Sequence, residues 1–168
     1  MKTLRLRDIQ ESDCVPISSA FKAQGWNKSE SKYREYCRLQ AEGIRDIIIA
    51  EVAGEFAGYL TILWRSEYPH FQSRGIPEIN DFNVLKKFWR QGIGSALMDE
   101  AERRVKERSE YCGIGFGLVE DYGAAQILYV KRGYIPDGKG FCSDHRQLQY
   151  MDQITVDDSL ALYLTKKL

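Results

Sequence analysis

The residues best suited to chemistry lie in one stretch, residues 82–104, which reads FNVLKKFWRQGIGSALMDEAERR. Its segment Gly92–Ser95 stands directly before a helical pattern, and glycines at such a place let an anion approach the backbone closely. The first N–H groups of a helix have no partner within the helix, and the helix dipole adds partial positive charge there. Basic side chains at Lys86, Lys87 and Arg90 add to this field. The stretch therefore predicts an anion site, with phosphate as its natural ligand.

The helix that follows the glycines is amphipathic. Apolar residues recur at helical spacing, and acidic and basic residues fall on the other side. Glu100 and Arg104 form an i,i+4 pair that supports the same helix. A strand-like run ending at Val84 precedes the loop. The apolar stripe consists of Ile93, Leu97, Met98, Ala101 and Val105.

The elements around this stretch alternate between strands and helices. Residues 4–7 alternate between apolar and charged types, which predicts a half-buried first strand. Two apolar runs separated by a short Ala-Gly-Glu turn predict a hairpin over residues 47–63. The remaining predictions are a helix ending at Phe21, a helix to Gln40, a strand over 112–119, a helix over 121–131 that stops at Gly133, a strand starting at 134, a polar loop over 141–156 and a last strand over 159–164.

Residues 65–75 are polar and contain two breakers, Pro69 and Gly75. The composition is typical of an exposed loop that could edge a substrate site. We interpret His70 in this loop as a surface residue rather than a catalyst.

The strand predicted over residues 77–84 carries an unusual number of polar groups. A charge buried in a central strand without a partner is costly, so this strand either meets water at one edge or lines a site. A strict period of two would place Glu78, Asn80, Phe82 and Val84 on one face.

The strand predicted over residues 112–119 has glycine at every second position, namely Gly113, Gly115 and Gly117. Glycine weakens a strand because it offers no side chain to pack. Three glycines on one face therefore predict that a helix, another backbone or a ligand approaches this face closely.

Composition places the chain among ordinary globular proteins. Its 168 residues fit one domain over residues 1–168, large enough to build its own core. The formal charge of zero argues against a dedicated binder of nucleic acid or of anionic membranes. The first dozen residues carry charges without an apolar run, and no later run is long enough to span a membrane, so we expect a cytoplasmic protein. The four cysteines form no C-x-x-C pair, so neither a metal site nor a redox motif is predicted.

The loop and helix of the central stretch resemble the long motif of the GCN5-related N-acetyltransferases, the GNAT family. In that family a strand ending in Val is followed by Gln/Arg-x-x-Gly-x-Gly/Ala. Val84, Gly92 and Gly94 stand at the matching places, whereas Trp89 replaces the Gln or Arg. In the family this motif binds its ligand mainly through backbone N–H groups. The substitution at Trp89 therefore affects one side-chain contact, and the predicted loop is unchanged.

A second resemblance lies in residues 121–134, DYGAAQILYVKRGY. Members of the family carry N-x-x-A-x-x-L-Y-x-x-x-G-F/Y here, and Tyr122 replaces the Asn. The sequence of this segment is similar to that of small bacterial members of the family. The matching residues are Ala125, Leu128, Tyr129, Gly133 and Tyr134.

The resemblance implies an α/β fold with a mixed, mainly antiparallel sheet of six to seven strands and helices on both faces. It implies that strands four and five splay to admit the pantetheine arm of acetyl-coenzyme A, and that the two first helices shape the acceptor pocket. A bulge in the fourth strand would shift the alternation of its faces.

The resemblance also implies the reaction, an acetyl transfer from the cosubstrate acetyl-CoA to the primary amine of a small molecule or peptide. Glu78 lies fourteen positions before Gly92, where the histone-modifying branch has its catalytic glutamate, and is the expected base, with Asp81 or a water chain as alternatives. Tyr129 is the expected acid. The expected coenzyme-binding residues are Val84, Arg90, Gln91, Gly92, Ile93, Gly94, Ser95 and Tyr122.

Other hypotheses stay open at this point. A nucleotide-binding module could use the same loop, although the chain has neither G-x-x-x-x-G-K-S/T nor G-x-G-x-x-G. A catalytically silent sensor could bind acetyl-CoA and regulate a partner. Trp26, Tyr33 and Tyr36 could form an aromatic acceptor wall or belong to the core. The acceptor, the acyl length and the oligomeric state are open, and a homodimer is compatible with the sequence.

Overall fold

A computed structural model describes residues 3–168 and centres on one twisted sheet. The strands are β1 (Leu4–Asp8), β2 (Arg45–Val52), β3 (Glu55–Leu63), β4 (Glu78–Val84), β5 (Tyr111–Gly117), β6 (Ile135–Ser143), β7 (Arg146–Gln147) and β8 (Leu160–Lys167). The helices are α1 (Cys14–Ala23), α2 (Glu30–Ala41), α3 (Pro69–Arg74), α4 (Ile93–Lys106) and α5 (Gly123–Lys131), with short 3-10 turns at Glu11–Asp13, Lys86–Phe88 and Glu120–Tyr122.

The strands are ordered β1-β2-β3-β4-β5-β8-β6-β7. Every pair is antiparallel except β4 with β5, which is parallel. The predicted mixed, mainly antiparallel sheet is therefore confirmed. It has eight strands rather than six or seven, because the two residues of β7 pair with the end of β6.

Helices cover both faces of the sheet, as expected. On one face, the Tyr59 ring of β3 packs edge-on against Phe21 of α1 and Tyr33 of α2, at centroid distances of 5.8 and 5.6 Å. On the other face, α4 packs its predicted apolar stripe, all of it buried, and Gly94 at its start meets the Phe82 ring of β4. We call these the α2 face and the α4 face.

The predicted exposed loop over residues 65–75 is wrong. Residues 69–74 form α3, and Ser66, Tyr68 and Phe71 are buried. Tyr68 stacks on Tyr163 of β8 with 3.8 Å between ring centroids. The apolar pair Tyr68 and Phe71, three residues apart, outweighs the polar composition of the segment and draws it onto the sheet.

Aromatic rings cover the glycine face of β5. A Cβ on any of the three glycines would lie 2.2, 2.7 or 2.5 Å from a ring carbon, closer than packed atoms come. The close approach predicted for this face is therefore present, and side chains make it. The pairs are Gly113 with Phe71, Gly115 with Tyr163 and Gly117 with Tyr122.

Several predicted boundaries shift. Helix α5 begins at Gly123, after a 3-10 turn that contains Asp121, and the predicted stop at Gly133 is confirmed by its φ of +88°. Strand β6 continues through residues 137–140, which the sheet accommodates by a register shift between Pro136 and Phe141.

The cysteines are reduced, but two of them are neighbours. The Sγ atoms of Cys14 on α1 and Cys37 on α2 lie 3.8 Å apart. Burial raises the pKa of the Cys37 thiol to about 12, so it stays protonated. Within residues 3–168, no helix has the length and apolar character needed to cross a membrane.

Candidate active site

The central feature of the sheet is a gap between its two parallel strands. Strands β4 and β5 pair only through Glu78 with Gly113 and Ile79 with Ile114. Beyond these pairs the strands diverge, so residues 80–84 have no partner on the β5 side. The splayed strands that the family resemblance implied are therefore present, and β4 offers an open edge to the gap.

Backbone directions place polar groups of β4 in this gap. The N–H of Leu85 donates to the carbonyl oxygen of Ala57 at 2.9 Å, so Leu85 faces β3. Backbone groups of successive residues in a strand alternate between its two edges. The N–H and C=O of Val84 therefore point toward the gap.

A β-bulge interrupts β4 beside the gap. Thr61 pairs with Asn80 and Tyr59 with Asn83, which leaves two β4 residues opposite one on β3. Asp81 in the bulge has a φ of +45°, a left-handed conformation in which a residue other than glycine is strained.

The bulge that the family resemblance implied is therefore present, and it shifts the alternation of β4 after Asn80. Asn83 Nδ2 donates to Asp81 Oδ1 at 2.8 Å on the α2 face, whereas Phe82 turns to the α4 face against Gly94. The polar side chains of β4, including Glu78 and Asn80, consequently collect on the α2 face.

The predicted anion loop lies at the open end of the gap. Gly92 caps α4 with a φ of +81°, and the first bond within the helix runs from the Ala96 N–H to the Gly92 carbonyl at 3.0 Å. The N–H groups of residues 93–95 therefore have no partner within the helix. Gly92 and Ser95 are exposed, so these donors are accessible.

Charges around the loop favour an anion. Within residues 3–168, neither Arg90 nor Lys86 pairs with a carboxylate, whereas Lys87 pairs with Glu55. The Gln91 amide donates to the Lys87 carbonyl at 2.9 Å, which braces the loop from within. The Lys86 ammonium lies over the Trp26 ring, 5.6 Å from its centroid, so among the described residues Arg90 is the basic side chain of this loop without such a contact.

Trp89, which occupies the place of the family's Gln or Arg, reaches back to β4. Its indole Nε1–H donates to the Val84 carbonyl oxygen at 2.7 Å, and the ring remains about half exposed. Trp89 therefore lies at the mouth of the gap and occupies an acceptor on the edge of β4.

Glu78 lies at the closed end of the gap and is 3% exposed. Burial raises the pKa of its carboxyl group, although hydrogen bonds from Ser66 Oγ at 2.5 Å and Asn80 Nδ2 at 3.1 Å counter part of the rise. Glu78 is thus a carboxyl whose proton affinity is shifted toward neutral pH.

Asp81 is surrounded by donors. Its carboxylate accepts hydrogen bonds from Tyr59 Oη at 2.6 Å and Tyr36 Oη at 2.8 Å. The ammonium groups of Lys28 and Lys32 lie 3.4 and 2.6 Å from its oxygens. Burial alone favours the protonated form, but the two cations and the hydrogen bonds outweigh it and lower the pKa of Asp81. Asp81 therefore stays ionised, whereas burial shifts the pKa of Glu78 in the opposite direction.

The comparisons with known proteins agree with this geometry. The model of the acetyltransferase (GNAT) family matches residues 6–134. The chain belongs to this family. No curated protein matches the chain in sequence.

Solved structures of GNAT proteins share the fold. A protein described as a GNAT acetyltransferase from Desulfovibrio desulfuricans superposes with a TM-score of 0.73 at 12% identity, over 98% of this chain and 99% of that one. A ribosomal-protein-alanine N-acetyltransferase from Brucella melitensis gives 0.70 at 17% identity, over 98% and 99%. The yncA acetyltransferase from Salmonella typhimurium, solved with acetyl-CoA, gives 0.68 at 14% identity, over 98% and 93%.

Acetyl-CoA is the cosubstrate of GNAT acetyltransferases, and this chain is an acetyl-CoA-dependent N-acetyltransferase. The residues present suit such a ligand. A Cβ on Gly92 would meet no atom within 4 Å, so the loop leaves space above the free N–H groups of α4, where a diphosphate would bind. The open edge of β4 offers Val84 to the amides of an extended arm.

Tyr129 and Tyr122, the other predicted site residues of this GNAT chain, line the β5 side. Tyr129 is 4% exposed, packs near Phe116 with 6.2 Å between centroids, and makes no hydrogen bond through its hydroxyl within residues 3–168. Burial raises the pKa of Tyr129, and Tyr122 adds to the rise. The Tyr122 ring covers Gly117, and its hydroxyl lies 3.4 Å from Asp158.

Lys28 and Lys32 are residues of this site that were not predicted from the sequence. Both contact Asp81, as does Tyr36, and the three residues are spaced four apart, which puts them on one side of α2 and its leading turn. This spacing was visible in the sequence, but the partner at position 81 was not. Of the predicted aromatic wall, Tyr33 and Tyr36 are buried in the core, whereas Trp26 is half-buried.

Proposed function

We propose that this enzyme transfers the acetyl group of acetyl-CoA directly to a primary amine that enters from the α2 face. The gap between β4 and β5 beside the free N–H groups of α4 carries this proposal. An extended thioester arm bound along β4 would bring its reactive end to the bulge, where the polar side chains of the α2 face lie.

Residues 90–95 bind the diphosphate in this proposal. The free N–H groups of α4 and the left-handed Gly92 supply the backbone donors, and Arg90 supplies a mobile positive charge. Val84 pairs with the pantetheine arm through its backbone, and Tyr122 contacts the arm from the β5 side.

Glu78 is the proposed general base. A lysine-like amine has a reference pKa near 10 and reaches the enzyme as an ammonium ion, which must lose a proton before its nitrogen attacks. The raised pKa of buried Glu78 suits it to accept that proton near neutral pH. Because Glu78 is buried, the proton travels through water or through the Ser66 hydroxyl, 2.5 Å from the carboxylate.

Tyr129 is the proposed general acid. Its raised pKa keeps the phenol protonated, and its hydroxyl has no competing partner in the described chain. The hydroxyl is therefore free to donate to the leaving thiolate of coenzyme A.

The acceptor is proposed only as a class, the primary amines of small molecules or peptides. Neighbouring folds include enzymes named for ribosomal-protein substrates, which supports keeping peptides in this class. We further propose that residues 1–168 act as one catalytic domain in the bacterial cytoplasm.

Thioester cleavage in the presence of an amine panel tests the proposal. Purified enzyme is mixed with acetyl-CoA and polyamines, amino acids, aminoglycosides or peptide N-termini, and the released thiol and the acetylated product are both measured. We expect at least one amine to give thiol and product in equal amounts. Binding of acetyl-CoA without cleavage across the whole panel would favour the silent sensor and contradict the proposal.

A further inference from the structure

An ammonium-binding site lies on the α2 face beside the bulge, and the chain fills it with its own lysine. The Lys28 ammonium lies 5.4 Å from the ring centroid of Phe21 and 6.0 Å from that of Tyr59. Its nearest carboxylate oxygen is Asp81 Oδ1, at 3.4 Å. Aromatic faces and a carboxylate are the groups that recognise an alkylammonium ion.

Lys28 and Lys32 contact different oxygens of the Asp81 carboxylate. Lys28 contacts Oδ1, the oxygen that also accepts from Asn83 further along β4, whereas Lys32 and the two tyrosines contact Oδ2. Asp158, which Tyr122 contacts on the β5 wall, is among the charges that act on Lys28. The amine therefore lies within electrostatic range of both walls of the gap.

The environment of Lys28 also favours the reactive form of its amine. Burial lowers the pKa of Lys28 more strongly than Asp81 raises it, and its side chain is 19% exposed. Lys32 is closer to Asp81 but more exposed, at 36%, and has its ammonium over the Tyr36 ring instead. Of the two lysines, Lys28 is the more buried, and the charge of Asp158 on the β5 side also acts on it.

We propose that Lys28 is itself an acetyl acceptor, so that the enzyme acetylates its own chain when no external amine occupies the α2 face. This inference rests on the proposed function, because it uses the same bound thioester. The Lys28 ammonium first loses a proton to solvent or to a nearby base. Its nitrogen then forms a bond to the acetyl carbon, the carbon–sulfur bond breaks, and the second nitrogen proton balances the thiolate, giving an amide, coenzyme A thiol and one released proton.

Self-acetylation would change the α2 face. The amide has no charge, so Asp81 would keep Lys32 as its one remaining ammonium partner among the contacts described above. The added acetyl group would also occupy the place of an incoming amine. A modified chain is therefore expected to bind external amines more weakly.

The test is incubation of the purified enzyme with isotopically labelled acetyl-CoA and no added amine, followed by peptide mass spectrometry. We expect label on Lys28 to exceed that on any other lysine by roughly tenfold or more, at a rate per chain independent of protein concentration, as an intramolecular reaction requires. Lys28→Arg should remove this label, and Lys32→Arg should retain it. The variant Gly92→Asp, which alters the proposed coenzyme loop, should lose the label on Lys28.

Two results would overturn the inference. One is label spread over exposed lysines and unchanged by Gly92→Asp, which indicates non-enzymatic acetylation. The other is an unlabelled Lys28 in an enzyme that acetylates an amine of the panel, which leaves the proposed function intact. Failure of the proposed function looks different, because then no amine, internal or external, is acetylated although acetyl-CoA is present.

Discussion

The indole N–H of Trp89 donates to the carbonyl oxygen of Val84 across the mouth of the gap, at 2.7 Å. Because the polar groups of Val84 point into the gap, this bond competes with any amide that a bound arm would present there. We expect Trp89→Phe, which keeps the ring and removes the donor, to bind acetyl-CoA more tightly, by about 1 kcal/mol or roughly fivefold. Isothermal titration measures this change.

The wild-type protein offers a second check on Trp89. Its half-exposed indole should change fluorescence when the coenzyme displaces it, and Trp64→Phe, which alters a tryptophan bonded to Asp46, should leave that signal in place. Weaker binding by Trp89→Phe would show instead that the indole contributes to the coenzyme site.

Tyr129→Phe should lower turnover roughly a hundredfold with little change in acetyl-CoA affinity, because it removes only the proton donor. The matched control is Tyr134→Phe, a neighbouring buried tyrosine whose hydroxyl also lacks a hydrogen-bond partner among residues 3–168. Steady-state kinetics measure the turnover of both variants, and a binding titration measures their affinity for acetyl-CoA. Equal turnover in the two variants would remove Tyr129 from the role of acid.

Glu78→Gln should lower kcat/KM roughly a hundredfold if the carboxylate is the base. In the wild type, kcat/KM should rise with pH through the raised pKa of Glu78, which lies above its ordinary value of 4.5, and the variant should lose this limb of the profile. Ser66→Ala, which removes a hydrogen bond that lowers the pKa of Glu78, should shift the limb to higher pH. A limb that survives in Glu78→Gln would assign the base elsewhere.

The raised pKa of Glu78 also predicts how the stability of the fold depends on pH. Because the pKa of Glu78 is higher in the folded chain, the stability gained from its neutral form is complete below 4.5 and is lost as pH rises through the folded-state value. Between pH 4.5 and the folded-state pKa of Glu78, the melting temperature should therefore fall less steeply with pH in Glu78→Gln than in the wild type.

Gly115→Ala should destabilise the fold by about 1–3 kcal/mol, because a Cβ there would lie 2.7 Å from the Tyr163 ring, which is held by its stack on Tyr68. Gly123→Ala is the control, since its Cβ would meet nothing within 4 Å and it lies in α5. Chemical denaturation should show the control unchanged or slightly more stable. A neutral Gly115→Ala would mean that the ring moves aside freely.

Much of this architecture could be predicted from the sequence because the strongest patterns are local. The apolar stripe of α4 and the glycines before it give the helix, its start and the anion loop within one continuous stretch. The glycines of β5 likewise predicted that another part of the molecule approaches their face of the strand closely. Which rings approach could not be predicted, because Phe71 and Tyr163 come from distant parts of the chain.

The acceptor side of the site was harder to predict for two physical reasons. The bulge at Asp81 moves later residues of β4 to the opposite face, and a single extra residue in a ladder leaves no periodic trace. The partners of Asp81 are also far away in sequence, with Lys28 separated from it by 53 positions. The loop predicted over residues 65–75 was wrong for a related reason, because two aromatic residues, Tyr68 and Phe71, are buried against the sheet despite the polar composition around them.

The melting temperature of the purified protein with acetyl-CoA, with coenzyme A, with ATP and without ligand tests the central claim most directly. At a hundredfold excess over the dissociation constant, both coenzyme forms should stabilise the protein by about 2.7 kcal/mol, a shift of roughly 5–10 °C, and ATP should not. Gly92→Asp should abolish the shift, while Gly43→Asp, with the same charge at another left-handed glycine of φ +70°, should keep it. A wild-type protein that shifts with ATP and not with coenzyme A would contradict the account.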